Sequence, residues 1–242
     1  VPNTPQTKMI SFGDIGIGTR MRSKFFITAC PLVFSGFTRL KSQNCFASKL
    51  HYLDGPISGA AEKAAEGRLS KMASESKVAF EAERPISDSM TEFVFQLGDL
   101  AVAGSAMKAV NQVLADARIV AVAEAITFAT TQEICADKFY KVLSKCAEAS
   151  WMLEYRSPQV VEGDFSSKSA LNIWPKDLDI VLEIAGSSNF HCPMMATLKQ
   201  FDAGVNMGLI AENDSGERDS AYTIFSLLTI EIWCRKFMDT EF

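Results

Sequence analysis

Apolar residues fall into two regimes along the chain. Ahead of the LGD segment at 97–99 they come in short runs, broken by glycine, proline and polar stretches. Runs of that length between turn signals read as strands. The spacing predicts a short buried strand over 8–12, a glycine-rich turn over 13–18, a helix over 19–29 and a second strand over 32–34. That is a strand, glycine turn, helix, strand unit, the opening of a dinucleotide-binding fold. Residues 39–49 are polar and without period. A short strand at 51–53 then feeds DGPISG at 54–59. A loop or helical turn is expected over 60–66, and strands over 69–73 and 92–97 flank a helix over 76–90.

From Ser105 the period changes. Apolar and small residues recur at helical spacing through Val110, Val113, Leu114, Ala117, Val120, Ala121 and Ala125, with Glu124 on the same track. Further helices are expected over 136–149, 169–185, 194–208 and 220–236. The fold class is therefore α/β followed by all-α. A truncated Rossmann-like, dinucleotide-binding domain spans 1–100. A helical substrate and oligomerisation domain spans 101–242, with a hinge at 99–104. Residues 1–7, with two prolines, read as a disordered lead-in. The first residue is Val rather than Met, as in a processed chain or a fragment.

Composition narrows the classes. The 242 residues are 48% hydrophobic and 22% charged, enough for a sizeable core. Net charge is −5 with no basic block, which argues against nucleic acid as a partner. No run approaches the roughly 20 apolar residues of a membrane span. The six cysteines lie apart, none in a CxxC pair, and there are two histidines, so no metal site is expected. Dispersed cysteines of this kind suit reduced thiols in a cytoplasmic protein.

Five segments carry candidate chemistry. In the glycine turn, Gly13 and Gly18 fit the outer places of G-x-G-x-x-G. Ile15 holds the middle place, with Gly16 displaced by one and Ile17 following. The turn suits either a pyrophosphate cradle at a helix N-terminus or a plain strand-to-helix turn. Beyond the second strand no acid follows. Arg39 and Lys41 stand there instead, which suits the 2′-phosphate of NADP or a solvated basic loop. In DGPISG, the Ser58 hydroxyl and the amides around Gly59 suit a carboxylate, or the segment is an ordinary turn. Lys108, in GSAMKAVNQ, shares a helix face with Asn111 and Gln112 at i+3 and i+4, with Val110, Val113 and Leu114 packing the flanks. A lysine withdrawn from water can trade a proton near neutrality, whereas an exposed one merely snorkels. Lys176 in PKDLDIV reaches toward a cleft or joins Asp177 and Asp179 in a solvated face. Pro175 predicts a kink or a helix start. His191 and Cys192 precede a helix that Pro193 opens, and read as structural. Met194 and Met195 read as core or subunit contact.

Taken together and in order, DGPISG, EGRLSKM, Phe80 with the later RPI, LGD, GSAMKAVNQ, SWMLEYR and GDFSSKSALNIWPKDLDIVL resemble the β-hydroxyacid dehydrogenases. The family includes enzymes of the 3-hydroxyisobutyrate and 6-phosphogluconate dehydrogenase type. The helical half looks closest to the L-threonate dehydrogenase-like branch. The likeness runs from about Tyr52 to Phe225. It implies hydride transfer between a small hydroxy acid and NAD or NADP, without a metal. It implies that Ser58 and Gly59, in the family's DAPVSGG turn, bind the substrate carboxylate, with Ala60 replacing the last glycine. It also implies that Lys108 is the acid/base and Asn111 its helper, and that Lys176 approaches the nicotinamide; Gln112, on the same helix face as Lys108, is a further candidate to bind the substrate. Homo-oligomers through the helical domain are implied too.

The departures define the alternative. The family continues through several more strands before DAPVSGG, and this chain is on the order of seventy residues short of a full doubly wound sheet. Removing central strands exposes apolar edges and half of a cofactor cleft. The polar segment at 40–53 leaves little room for a parallel crossover. The alternative is thus an inactive relative whose helical half serves as an oligomerisation or binding module.

Overall fold

The computed structural model describes residues 25–28, 38, 42–43, 45, 51–74, 76–99, 102–164 and 173–199, with the backbone alone at 25–28 and 173–175. The expected strands over 8–12 and 32–34, the glycine turn and the helix over 220–236 lie outside these residues. Two compact units divide the chain: residues 1–112 with 180–191, and residues 113–179 with 192–242.

In the first unit, β1 (Phe25–Thr28) pairs in parallel with β2 (His51–Asp54), in register from Phe25 against His51 to Thr28 against Asp54. This corrects two expectations. Residues 25–28 belong to a strand, not to a helix over 19–29. Their sequence, Phe-Phe-Ile-Thr, is aromatic and β-branched and suits a pleated ladder better than a helix. With the strand ending at 28, residues 29–50 form the connection, which meets the dozen or more residues a parallel crossover needs. Thr38, Ser42, Gln43 and Cys45 within it are helical. Among the described residues, β1 and β2 are direct neighbours in this sheet.

A second sheet follows in the order β3 (Ile57–Ser58), β4 (Leu69–Ala73), β5 (Thr91–Gln96). β3 is antiparallel to β4 and β5 is parallel to it, with a register shift between Leu69 and Ser70. The short helix α1 (Ala60–Ala65) joins β3 to β4, and α2 (Lys77–Asp88) crosses from β4 to β5. The sheets touch at an antiparallel bridge, where Asp54 and Ser74 exchange backbone bonds of 3.2 and 2.8 Å. Phe80 of α2 packs on Leu53 and Ala73, with Val94 beside them. Burying one such large side chain contributes about 2 kcal/mol. At the start of β4, Arg68 meets Glu92 at 3.3 Å and Glu66 at 3.1 Å, and Glu92 first, then Glu66, raises its guanidinium above the ordinary value.

The helical part opens with α3 (Ala103–Thr131). Its buried positions, among them Ser105, Lys108, Asp116, Ile119, Val122, Ala123, Ile126 and Ala129, recur at three and four residues. α4 (Ala136–Leu143) and α5 (Trp151–Glu162) pack on its second half, with Phe139 and Leu153 closing a core on Val122, Ile126 and Ala129. α4 ends six residues before the expected 149, at a run of turns. α5 was not expected as a separate element. Its interior carries Pro158, and its buried face uses Ser157 and Gln159 beside Leu153, so apolar periodicity is faint. Its ends are marked instead. The Ser150 hydroxyl accepts the Leu153 amide at 3.2 Å, and Gly163 closes the helix at φ 64°.

α6 (Ile173–Ser187) begins two residues before Pro175, so the proline sits in the first turn, where its missing amide is tolerated. Pro193 opens α7 (Pro193–Leu198), whose Met195 is fully buried while Met194 is exposed. Among the described residues no helix is long and apolar enough to cross a membrane.

Candidate active site

Helix α3 begins without a cap of its own. Val102 precedes it and accepts the first helical bond from Ala106 at 2.9 Å, but a valine side chain cannot satisfy the free amides of the first turn. Those amides are buried, so other segments must satisfy them. The Gly104 amide donates to the Ser74 hydroxyl at 2.9 Å, and the Ser105 amide donates to the Asp54 carboxylate at 2.7 Å. The Ser105 hydroxyl donates to the other Asp54 oxygen at 2.8 Å and lies 3.3 Å from the Thr38 hydroxyl. All four partners are at most 2% exposed. A carboxylate at a helix N-terminus also meets the positive end of the helix dipole.

The approach requires glycine at 104. A Cβ there would lie 2.5 Å from the Met72 carbonyl oxygen and 2.8 Å from that of Asp54. Glycine is needed for space, because strand ends and helix backbone meet directly.

This node ties together the two segments singled out from sequence. Asp54 is the first residue of DGPISG, and Gly104 and Ser105 open GSAMKAVNQ. From Ser105 one helical turn leads to Lys108, which is only 7% exposed. It is a buried lysine, not a snorkelling one. Asn111 and Gln112 follow on the same side, half-buried, with the Asn111 amide donating to the Gln112 side-chain oxygen at 3.1 Å. The expected apolar flank is corrected. Val110 and Leu114 are exposed and Val113 is half-buried, because the buried track runs through 105, 108, 109 and 116 and leaves 110 and 114 on the opposite side.

On the other side of Asp54, the chain passes Gly55 and Pro56 into β3. Ser58 opposes Ser70 of β4, and both Ser58 and Gly59 are half-buried. Gly59 turns the chain into α1 at φ 142°. Ala60 follows at φ 57°, in the left-handed region that favours glycine. Ala60→Gly should therefore stabilise the fold by about 1 kcal/mol, read as a rise in denaturant midpoint at constant m-value.

Lys176 stands in the second unit. Its ammonium lies 2.8 Å from the Asp177 carboxylate and its side chain is 20% exposed. Asp177 is buried rather than part of a solvated face, since it lies on the side of α6 that carries Leu178 and Val181 into the core. Asp179 is exposed and pairs with Lys199 at 2.7 Å. Gly13, Ile15, Gly16, Ile17, Gly18 and Arg39 lie outside the described residues. Thr38, Asp54, Ser74 and Ser105 escaped the sequence reading as site residues. A faint signal existed in the missing cap: a helix that starts Val-Ala-Gly-Ser must find acceptors elsewhere.

Ligands of open α/β sheets sit outside the carboxyl ends of parallel strands. The parallel pair β1 and β2 ends together at Thr28 and Asp54, so that edge exists. The Asp54 carboxylate is already engaged by Ser105. Nucleotide contacts from this side therefore fall to other groups, and the arrangement is compatible with NAD or NADP.

Comparison with known proteins agrees with this geometry. Residues 1–98 match the family model described as the NAD binding domain of 6-phosphogluconate dehydrogenase. Residues 102–218 match that described as NAD-binding of NADP-dependent 3-hydroxyisobutyrate dehydrogenase. L-threonate dehydrogenase of Pectobacterium atrosepticum is 34% identical over 216 residues, covering 89% of this chain and 71% of that protein. The Escherichia coli K12 L-threonate dehydrogenase is 33% identical, covering 95% and 75%. A crystal structure of 3-hydroxyisobutyrate dehydrogenase from Salmonella typhimurium superposes with a TM-score of 0.81 at 32% identity, covering 93% of this chain and 76% of that one. The matches reach across both halves, and none speaks for an inactive relative. With its parallel β1–β2 pair, its helices from α3 onward and its buried Lys108, the chain belongs to the β-hydroxyacid dehydrogenases, oxidoreductases that use NAD or NADP.

Proposed function

We propose that the chain oxidises a small hydroxy acid with Lys108 as general acid/base. The observation that carries this reading is the burial of Lys108 one turn beyond the Asp54–Ser105 bond. That bond couples the lysine's helix to the strand end from which the 54–59 turn departs. In this reading Ser58 and Gly59 hold the substrate carboxylate and Gln112 lies beside it. Asn111 holds the reacting hydroxyl, and the Lys108 amine takes its proton. Bound NAD(P)⁺ supplies the hydride acceptor. Gly13, Ile15, Gly16, Ile17 and Gly18 form the phosphate turn, Arg39 attends the adenosine ribose, and Lys176 serves the nicotinamide end. Residues 1–100 act as the dinucleotide-binding domain and 101–242 as the helical domain.

L-threonate is the first substrate to try, since the curated relatives at 33–34% identity carry that name. The test is titration with NADPH and NADH by nucleotide fluorescence, followed by turnover of L-threonate and related hydroxy acids. Saturable binding is expected, tighter for NADPH because Arg39 and Lys41, which follow the expected second strand in sequence, suit a 2′-phosphate. If neither nucleotide binds at millimolar concentration, the enzyme reading is lost.

The same proposal includes a homo-oligomer and a cytoplasmic location. Met107, Val110, Leu114 and Phe128 are exposed along one side of α3 at helical spacing, and an apolar stripe of this kind supports a subunit contact. Leu114→Glu should lower the mass measured by light scattering to that of the single chain. A wild-type chain that is already monomeric at assay concentration would remove this part. The cytoplasmic location rests on the dispersed cysteines of the sequence, none of them in a CxxC pair.

A further inference from the structure

The most buried ion pair among the described residues lies beneath the substrate turn rather than in the site. Lys71, in the middle of β4, points its ammonium at Glu83 of α2 at 2.6 Å and at the Ser87 hydroxyl at 2.8 Å. The Ser87 hydroxyl lies 2.8 and 2.7 Å from the two Glu83 oxygens. The Lys71 and Glu83 side chains are 3% and 1% exposed. The Ser87 carbonyl accepts the Thr91 hydroxyl at 2.7 Å, which fastens the end of α2 to the start of β5.

Stability alone is a poor reason for such a pair, because well-packed apolar residues often serve as well. What an apolar pair lacks is a pinned end. On its way to Glu83 the Lys71 stem passes against Gly55. A Cβ at Gly55 would lie 2.5 Å from Lys71 Cε, 2.8 Å from Leu53 Cδ2 and 3.4 Å from Lys71 Nζ, so the lysine stem is its nearest obstacle. No unusual φ calls for glycine at this place; the space does. Next along the turn, the Pro56 carbonyl accepts the Met72 amide at 2.9 Å, and Ile57 stands opposite Lys71 itself.

We propose that Lys71 is a positioning residue for the 54–59 turn: its stem, pinned by Glu83 and Ser87, sets the height at which Ser58 and Gly59 meet the substrate carboxylate. The proposal rests on the carboxylate role given to that turn. A free lysine stem would give way under the turn, and one clamped at its head does not. Catalytic geometry is sensitive to displacements of about 1 Å, which can cost up to about a hundredfold in rate or affinity.

The test is a double-mutant cycle on the full chain with L-threonate as the probe. Gly55→Ala lifts the turn off the stem and should raise KM about tenfold. Nucleotide affinity and kcat should stay near the wild-type values. Lys71→Ala lets the turn sink and should also raise KM. The double variant should raise KM by less than the product of the two single effects, since removing the stem relieves the nearest clash at the added Cβ. Additive KM effects would overturn the proposal. Should a single variant fail to fold, Lys71→Met with Glu83→Met removes both charges together and keeps the chain folded. It should still raise KM and speed amide hydrogen exchange at 55–59. Wild-type KM in that variant would mean that the pair is structural only. If the wild-type chain binds nucleotide but oxidises no hydroxy acid, the functional reading fails by itself. Hydrogen exchange at 55–59 then decides the matter, and unchanged exchange in the Met/Met variant overturns the proposal.

Discussion

Lys108→Ala should lower kcat for the hydroxy acid by about a hundredfold to ten-thousandfold, the usual contribution of a positioned acid/base. The affinity for NADPH should stay near the wild-type value. Two features of the site separate these outcomes. Lys108 is buried on α3, one turn past a node built from Asp54, Ser74, Thr38 and Ser105. The residues assigned to the nucleotide are different ones, at 13–18, Arg39 and Lys176. An alanine keeps the helix, since alanine is its best former, and leaves the node untouched. Steady-state kinetics with fluorescence titration of nucleotide on the same sample checks both halves. Loss of turnover and nucleotide binding together, with a lowered melting temperature, would show that Lys108 holds the fold rather than the chemistry.

Asp54→Ala should destabilise the chain by about 3 kcal/mol, measured by denaturant unfolding. The carboxylate accepts both the Ser105 amide and the Ser105 hydroxyl in a site closed to water. Removing it leaves two buried donors without their acceptor and removes the helix cap, each worth roughly 1–2 kcal/mol. Asp54→Asn should cost less, because the amide oxygen still accepts one of the bonds. Gly104→Ala tests the same node from the other side. Its Cβ would press on two backbone carbonyls, 2.5 and 2.8 Å away, which cannot rotate aside. A loss comparable to that of Asp54→Ala is expected. Both variants should also lower kcat more than they change nucleotide affinity, because Lys108 is placed by this helix start. An Asp54→Ala protein with wild-type stability would show that α3 holds its position without the node.

These expectations differ in how far they were legible in the chain itself. The helical period from Ser105 onward announced α3, and the order of short motifs announced the family. Lys108, Asn111 and Gln112 lie within one turn and a half of one helix, so their common face follows from the helix repeat alone. Pro175 and Pro193 marked helix starts because a missing amide is harmless only in the first turn. Local chemistry of this kind depends on neighbours along the chain and can be read there.

Other features depended on partners far away in sequence. Residues 25–28 read as helix until a parallel partner at 51–54 appeared, since short apolar runs suit either state. Val110 and Leu114 fitted an apolar flank by composition. Only packing decided that the buried track excludes them. Asp54 looked like the first residue of a turn, and it became an anchor because Ser105 arrives from 51 positions away. Gly55 carries no signal of its own in the sequence, and the space it leaves is filled by Lys71 and Leu53.

By itself, then, the sequence determined the periodicities, the helix boundaries marked by proline, and the residue types able to exchange a proton or hold a carboxylate. The tertiary structure decided which strands pair, which faces are buried and which polar groups meet. The physical reason is that propensity and period act over a few residues, whereas a buried donor must find its acceptor wherever the fold brings one.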